Sequence, residues 1–155
     1  YKSENWSEAA KTAELIIQEK NSASDDILMA NMALFQQSIF QKDTTNAIHI
    51  LNTVLKYNSS VYTAEAHYHL ALIYFNQQKY NLAEKTAFDV IKKQASYEFW
   101  VTKTYILLGD IYLAQNDNFN AIATYKSIAE NATIPSLQQI ASDKLKAMND
   151  TIKAQ

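Results

Sequence analysis

A short word recurs along this chain at near-constant spacing, and that constrains its fold more than any other feature. Tyr80-Asn81-Leu82-Ala83, followed by Lys85, Thr86, Ala87, Val90 and Ile91, aligns with Trp6-Ser7-Glu8-Ala9, Lys11, Thr12, Ala13, Ile16 and Ile17 at a single offset throughout. Further copies surround Ala47 and Ala121, so the key alanines Ala9, Ala47, Ala83 and Ala121 recur at nearly equal intervals. Each interval is long enough for two helices and two loops. A self-similar chain is an array of one supersecondary unit, and an array builds an extended surface rather than an enclosed pocket.

The unit is helical. One glycine, Gly109, and one proline, Pro135, are too few turn residues for a β-rich fold. Apolar residues recur at three and four. This period predicts about eight helices, over residues 4–20, 25–41, 44–57, 61–77, 80–94, 98–115, 118–131 and 135–153. Ser24, Ser60 and Thr133 are candidate N-caps. Pro135 suits a first turn, where its missing N–H costs nothing. The loops, such as Asn58-Ser59-Ser60 and Gln115-Asn116-Asp117, are short, and short links force antiparallel neighbours. The expected fold is all-α: a right-handed superhelix of antiparallel helix pairs forming one domain. In it, 4–20 is the second helix of a truncated repeat, 25–57, 61–94 and 98–131 are repeats, and 135–153 is a cap.

The strongest copies are Tyr68-His69-Leu70-Ala71-Leu72-Ile73-Tyr74 with Tyr80 and Ala83, and Tyr105-Ile106-Leu107-Leu108-Gly109-Asp110-Ile111-Tyr112 with Phe119, Ala121 and Tyr125. They resemble the tetratricopeptide repeat, a helix–turn–helix unit of about 34 residues. The periods here are longer, the usual repeat-end proline is missing, and Ser38 stands where an aromatic belongs. The spacing has a physical basis: Ala71 and Gly109 in first helices, and Ala83 and Ala121 in second helices, let backbones approach, with Tyr74 and Tyr112 filling the gap beside them. Glycine inside a helix costs about 1 kcal/mol against alanine. Gly109 is therefore expected to have a ring or backbone where a methyl would stand.

The resemblance implies non-catalytic binding of a protein or peptide in a groove lined by first helices. Carried over residue by residue, the groove face holds Tyr68, Leu72, Phe75 and Asn76, then Lys103, Ile106, Asp110 and Leu113, and in the degenerate repeat Met32, Gln36 and Phe40. Tyrosine, phenylalanine and isoleucine at helical spacing are more often core, so some of these are expected to be plain packing. A clamp for a peptide's C-terminal carboxylate is not expected, because Tyr68, Leu72 and Asp110 occupy its positions. The stretches Ala64–Phe75 and Phe99–Tyr112 are also similar to repeats of bacterial cell-envelope proteins. That likeness implies a scaffold in an envelope assembly or secretion complex, with a cytoplasmic peptide-binding adaptor or a self-associating structural domain as alternatives.

Charge and chemistry exclude other classes. Fourteen basic and sixteen acidic side chains leave no basic footprint for nucleic acid. Cysteine and arginine are absent, removing thiolate metal sites and bidentate anion grips. His67 and His69 are two apart and face different sides of a helix, whereas metal pairs sit three or four apart. Asp25 and Asp26 open a helix and oppose its dipole, and Lys92-Lys93 closes one. No phosphate loop or nucleophile motif is present, and no apolar run is long enough to span a bilayer. No enzyme activity, cofactor, metal or small-molecule substrate is expected. The start at Tyr1, midway through a repeat, suggests a piece of a longer protein.

Overall fold

The computed structural model describes residues 2–19 and 21–153, and side chains within 8–19 and 21–151. Among them run eight helices: α1 (Lys2–Gln18), α2 (Ser24–Phe40), α3 (Thr44–Val54), α4 (Val61–Asn76), α5 (Tyr80–Lys93), α6 (Glu98–Ala114), α7 (Asn118–Asn131) and α8 (Pro135–Lys153). The helix boundaries fall close to those expected. The largest difference is α3, which stops at Val54 because Leu55, Lys56 and Tyr57 turn away. The chain divides into two compact units, residues 1–70 and 71–155, and the division falls within α4.

Second helices share one buried stripe. In α3 it is Ala47, Ile50, Leu51 and Val54; in α5 it is Ala83, Thr86, Ala87 and Val90; in α7 it is Ala121, Tyr125 and Ile128. This spacing of three and four marks a helix with one face inward. First helix α6 is different: Ile106, Leu107, Leu108 and Gly109 are all buried in succession, so it is enclosed on several sides.

In the first unit α2 packs against both α1 and α3. Phe35 is fully buried, with its ring centroid 4.8 Å from that of His69. Residue Ala9 differs from its repeat counterpart. It is exposed where its counterpart Ala83 is fully buried, and α1 instead packs with Ala10 and Ala13. Ala13 keeps the buried place of its counterpart Ala87, so α1 follows the repeat at that position and departs from it at Ala9. The Trp6 side chain lies outside the described residues.

The second unit holds the end of α4 and α5 to α8. Helix α6 packs against α5 and α7, while α8 packs on α7 and also touches α6. Its core joins Ile106, Ala121, Tyr125, Ile128, Leu137, Ala141 and Met148.

The turn inside each repeat is the same device three times. Asp43, Lys79 and Asp117 donate their backbone N–H to the carbonyls of Ser38, Tyr74 and Tyr112, each at 2.9 Å. The preceding residues Lys42, Gln78 and Asn116 have φ of 60°, 59° and 62°. This is the helix-ending hydrogen bond closed by a left-handed residue, a place usually taken by glycine. Asp43 and Asp117 then cap the next helix, accepting the N–H groups of Asn46 and Asn120. Of the expected caps, Ser60 accepts the Thr63 N–H at 3.2 Å, and Thr63 Oγ1 accepts the Ser60 N–H at 2.7 Å. Ser24 is instead the first residue of α2, whose cap position is Ala23, and the Thr133 hydroxyl donates to Glu98.

Candidate functional site

The second unit contains a groove of about 380 Å³ between α6, α7 and α8. Asp110 and Leu113 come from α6, Asn118 and Tyr125 from α7, and Lys144, Ala147, Met148 and Thr151 from α8. A site of this kind, mostly apolar with a few convergent polar groups, is what ligand recognition needs.

A comparison of adjacent repeats shows why the groove is open here. Phe75 and Tyr80 form a ring pair with centroids 5.9 Å apart. The matching positions of the next repeat hold Leu113 and Asn118. Replacing two rings by an isobutyl group and a short amide removes the filling, and both replacements line the groove. Phe119 does not stand in for Tyr80; it is one position later and 81% exposed.

Gly109 and Tyr125 set the back wall. A Cβ at Gly109 would lie 2.8 Å from Tyr125 Cζ and 2.9 Å from Cδ1, with Cε1 closer still. No methyl fits there, so the expected ring at Gly109 is present. It belongs to Tyr125 and not to Tyr112. The preceding repeat has alanine at both equivalent positions, Ala71 and Ala87. Here one methyl is deleted and a phenol takes its room.

The phenol brings its hydroxyl to the groove. Tyr125 Oη donates to Asp110 Oδ1 at 2.5 Å, and Lys144 Nζ donates to the same oxygen at 2.6 Å. Lys144 Nζ also lies 5.8 Å from the Tyr125 ring centroid, within range of a cation–π attraction. Burial pushes the Tyr125 phenol far above its usual pKa, and its hydrogen bond to Asp110 and that carboxylate's charge add to the rise. It is thus a fixed donor. Charge-assisted bonds of this kind are short and strong. They leave Asp110 Oδ2 and the remaining Lys144 N–H groups as an acceptor and donors at the mouth of an apolar slot.

Among the expected groove residues, Asp110 and Leu113 share this site. Ile106 lies beneath it in the core, 6% exposed. Lys103 sits apart, 5.1 Å from the Trp100 ring and 5.5 Å from the Phe99 ring. On α4, Tyr68 is buried edge-on to His69, Leu72 and Phe75 are half-buried, and Asn76 is exposed. In the first unit Met32 is buried, Gln36 half-buried and Phe40 exposed. Sequence reasoning missed the contribution of α8, read only as a cap. One signal was available: a buried tyrosine needs a partner for its hydroxyl, and Asp110 directly follows Gly109.

The histidines do not converge. His67 Nδ1 is 3.0 Å from the Thr63 carbonyl, and His69 pairs with Glu65 at 3.7 Å. Among the described residues no cluster of histidine and acidic groups could hold a metal, and no helix is long and apolar enough to cross a membrane.

Residues 64–87 and 102–131 match the tetratricopeptide repeat family. These stretches fall within α4–α5 and α6–α7, the helices that carry the strongest copies of the repeated word. Among curated proteins, none matches the chain.

Proposed function

We propose that this chain, which carries tetratricopeptide repeats, is a non-catalytic docking module whose α6–α8 groove holds a segment of a partner protein. Such repeats generally mediate protein–protein interaction. The observation that carries the site is the paired loss of Phe75-type and Tyr80-type rings at Leu113 and Asn118, which leaves an apolar slot beside Asp110 and Lys144. The slot suits one apolar side chain of an extended or helical peptide, with backbone amide groups meeting the carboxylate and ammonium. The setting we propose is a bacterial cell-envelope assembly or secretion complex, on the likeness of residues 64–75 and 99–112. The proposed architecture is one continuous array.

The test refills the slot. Short peptides selected from a random library against the whole chain should bind a Leu113→Phe/Asn118→Tyr variant at least about tenfold more weakly, the loss of one well-packed anchor. The variant copies the ring pair of the preceding repeat, so its helical content and melting temperature should not fall. Equal binding by both chains would remove the groove from consideration. The envelope setting is tested separately by fractionating cells that express the native full-length protein; recovery in the cytosol alone would refute it.

A further inference from the structure

A second cavity, of about 520 Å³, lies on α5, α6 and α7. We infer that it is a binding site for a neutral, polyhydroxylated small molecule, a short oligosaccharide. Its walls carry three aromatic rings: Phe88 from α5, and Tyr105 and Tyr112 from α6. Phe88 and Tyr105 are 46% and 38% exposed, leaving ring surface for a ligand. An aromatic face is electron-rich and attracts the slightly positive C–H groups of a pyranose.

Between the rings are three hydroxyls, Thr102, Thr124 and Ser127. Other hydroxyls inside the helices return a bond to the carbonyl one turn back: Thr86 to Leu82 at 2.8 Å, Thr104 to Trp100 at 2.7 Å, Ser142 to Gln138 at 3.0 Å. This is the usual local fate of such groups. The three in the cavity make no such bond and have no protein partner among the described residues. Thr124 is the repeat counterpart of Thr86, so the same position is committed in one repeat and free in the next.

Charge decides the ligand class. No carboxylate, ammonium or imidazole lines this cavity; the two tyrosine phenols are its one ionisable type. A nucleotide would need a cationic partner for phosphate, and the α7 N-terminus is already capped by Asp117. A free amino acid would need both signs of charge. A long hydrocarbon would strand the hydroxyls without partners. Sugar hydroxyls both donate and accept, and they complement threonine and serine side chains. The size is ordinary for a small-molecule site. The cavity is separate from the Asp110 groove, sharing none of its lining residues.

The experiment titrates the 15N-labelled full chain with cellobiose, maltose and N,N′-diacetylchitobiose at millimolar concentrations. At least one should give saturable amide shifts centred on Thr102, Tyr105, Thr124 and Ser127. Phe88→Ala should weaken that sugar about tenfold, as loss of a stacking ring does elsewhere. Thr124→Val, close in shape, should weaken it severalfold with an unchanged thermal melt. Glucose 6-phosphate, as a charged probe, should bind more weakly than the neutral sugar. No saturable shift with any of the three sugars would overturn the inference. So would equal affinity for the charged probe, or a Thr124→Val variant that folds and binds like the parent.

Discussion

Gly109 is the residue on which local geometry turns. Alanine in its place would ordinarily favour a helix by about 1 kcal/mol. Here the methyl meets the Tyr125 ring at less than contact distance. Gly109→Ala is therefore predicted to destabilise, by about 1–3 kcal/mol as overpacking does, and Gly109→Leu by more; urea denaturation gives the sign. Tyr125→Phe keeps the ring and removes the bond to Asp110, at a cost of about 2 kcal/mol near neutral pH, as for other bonds to charged groups. Its pH signature is sharper. The folded phenol is raised above its unfolded value of about 10. Stability from the protonated phenol is complete below pH about 10 and is lost as pH climbs beyond it. Denaturation midpoints at successive pH values should show the parent losing stability above pH 10 faster than the variant, by about one proton per molecule, so that the gap between them narrows.

At the scale of elements, the turn inside each repeat carries a small strain. Lys42 and Gln78 adopt the left-handed conformation, which costs a side chain with a Cβ roughly 1–2 kcal/mol. Gln78→Gly is predicted to stabilise by about 0.5–1 kcal/mol after glycine's own entropy cost, read as a higher melting temperature. Asn116→Gly should gain less, because asparagine tolerates this conformation through its short polar side chain. Helix starts show what a sequence can and cannot disclose. Ser60 caps α4 because Thr63 reciprocates one turn on. Asp43 and Asp117 escape a sequence reading as caps because the left-handed turn before them contains no glycine to mark it.

For the whole molecule, the helical period and the recurrence of alanine made the element order legible. The stripes of α3, α5 and α7 follow directly from positions such as Ala83, Ala87 and Val90. The candidate site was half legible. Asp110 and Leu113 were among the residues singled out in the sequence, but Lys144 and Met148 line the groove from a helix far along the chain, and no local pattern encodes such a meeting. Ala9 and Ala83 share a place in the repeated word but not in burial, because recurrence sets spacing, whereas burial depends on the neighbour actually present. Arrays of this kind are stabilised by terms within and between adjacent units. A chain beginning at Ser59 keeps the α4 cap and the whole second unit, and should fold to a helical, cooperatively melting domain; a featureless, non-cooperative circular dichroism melt would contradict this. The Gly109–Tyr125 exchange has one more consequence. The hydroxyl that steadies Asp110 is mounted on a ring wedged against bare backbone, so the spacing of two rods is transmitted to the location of a negative charge. A substitution that slides α7 by a fraction of a side chain would retune what the neighbouring furrow accepts, without altering any residue that a ligand touches.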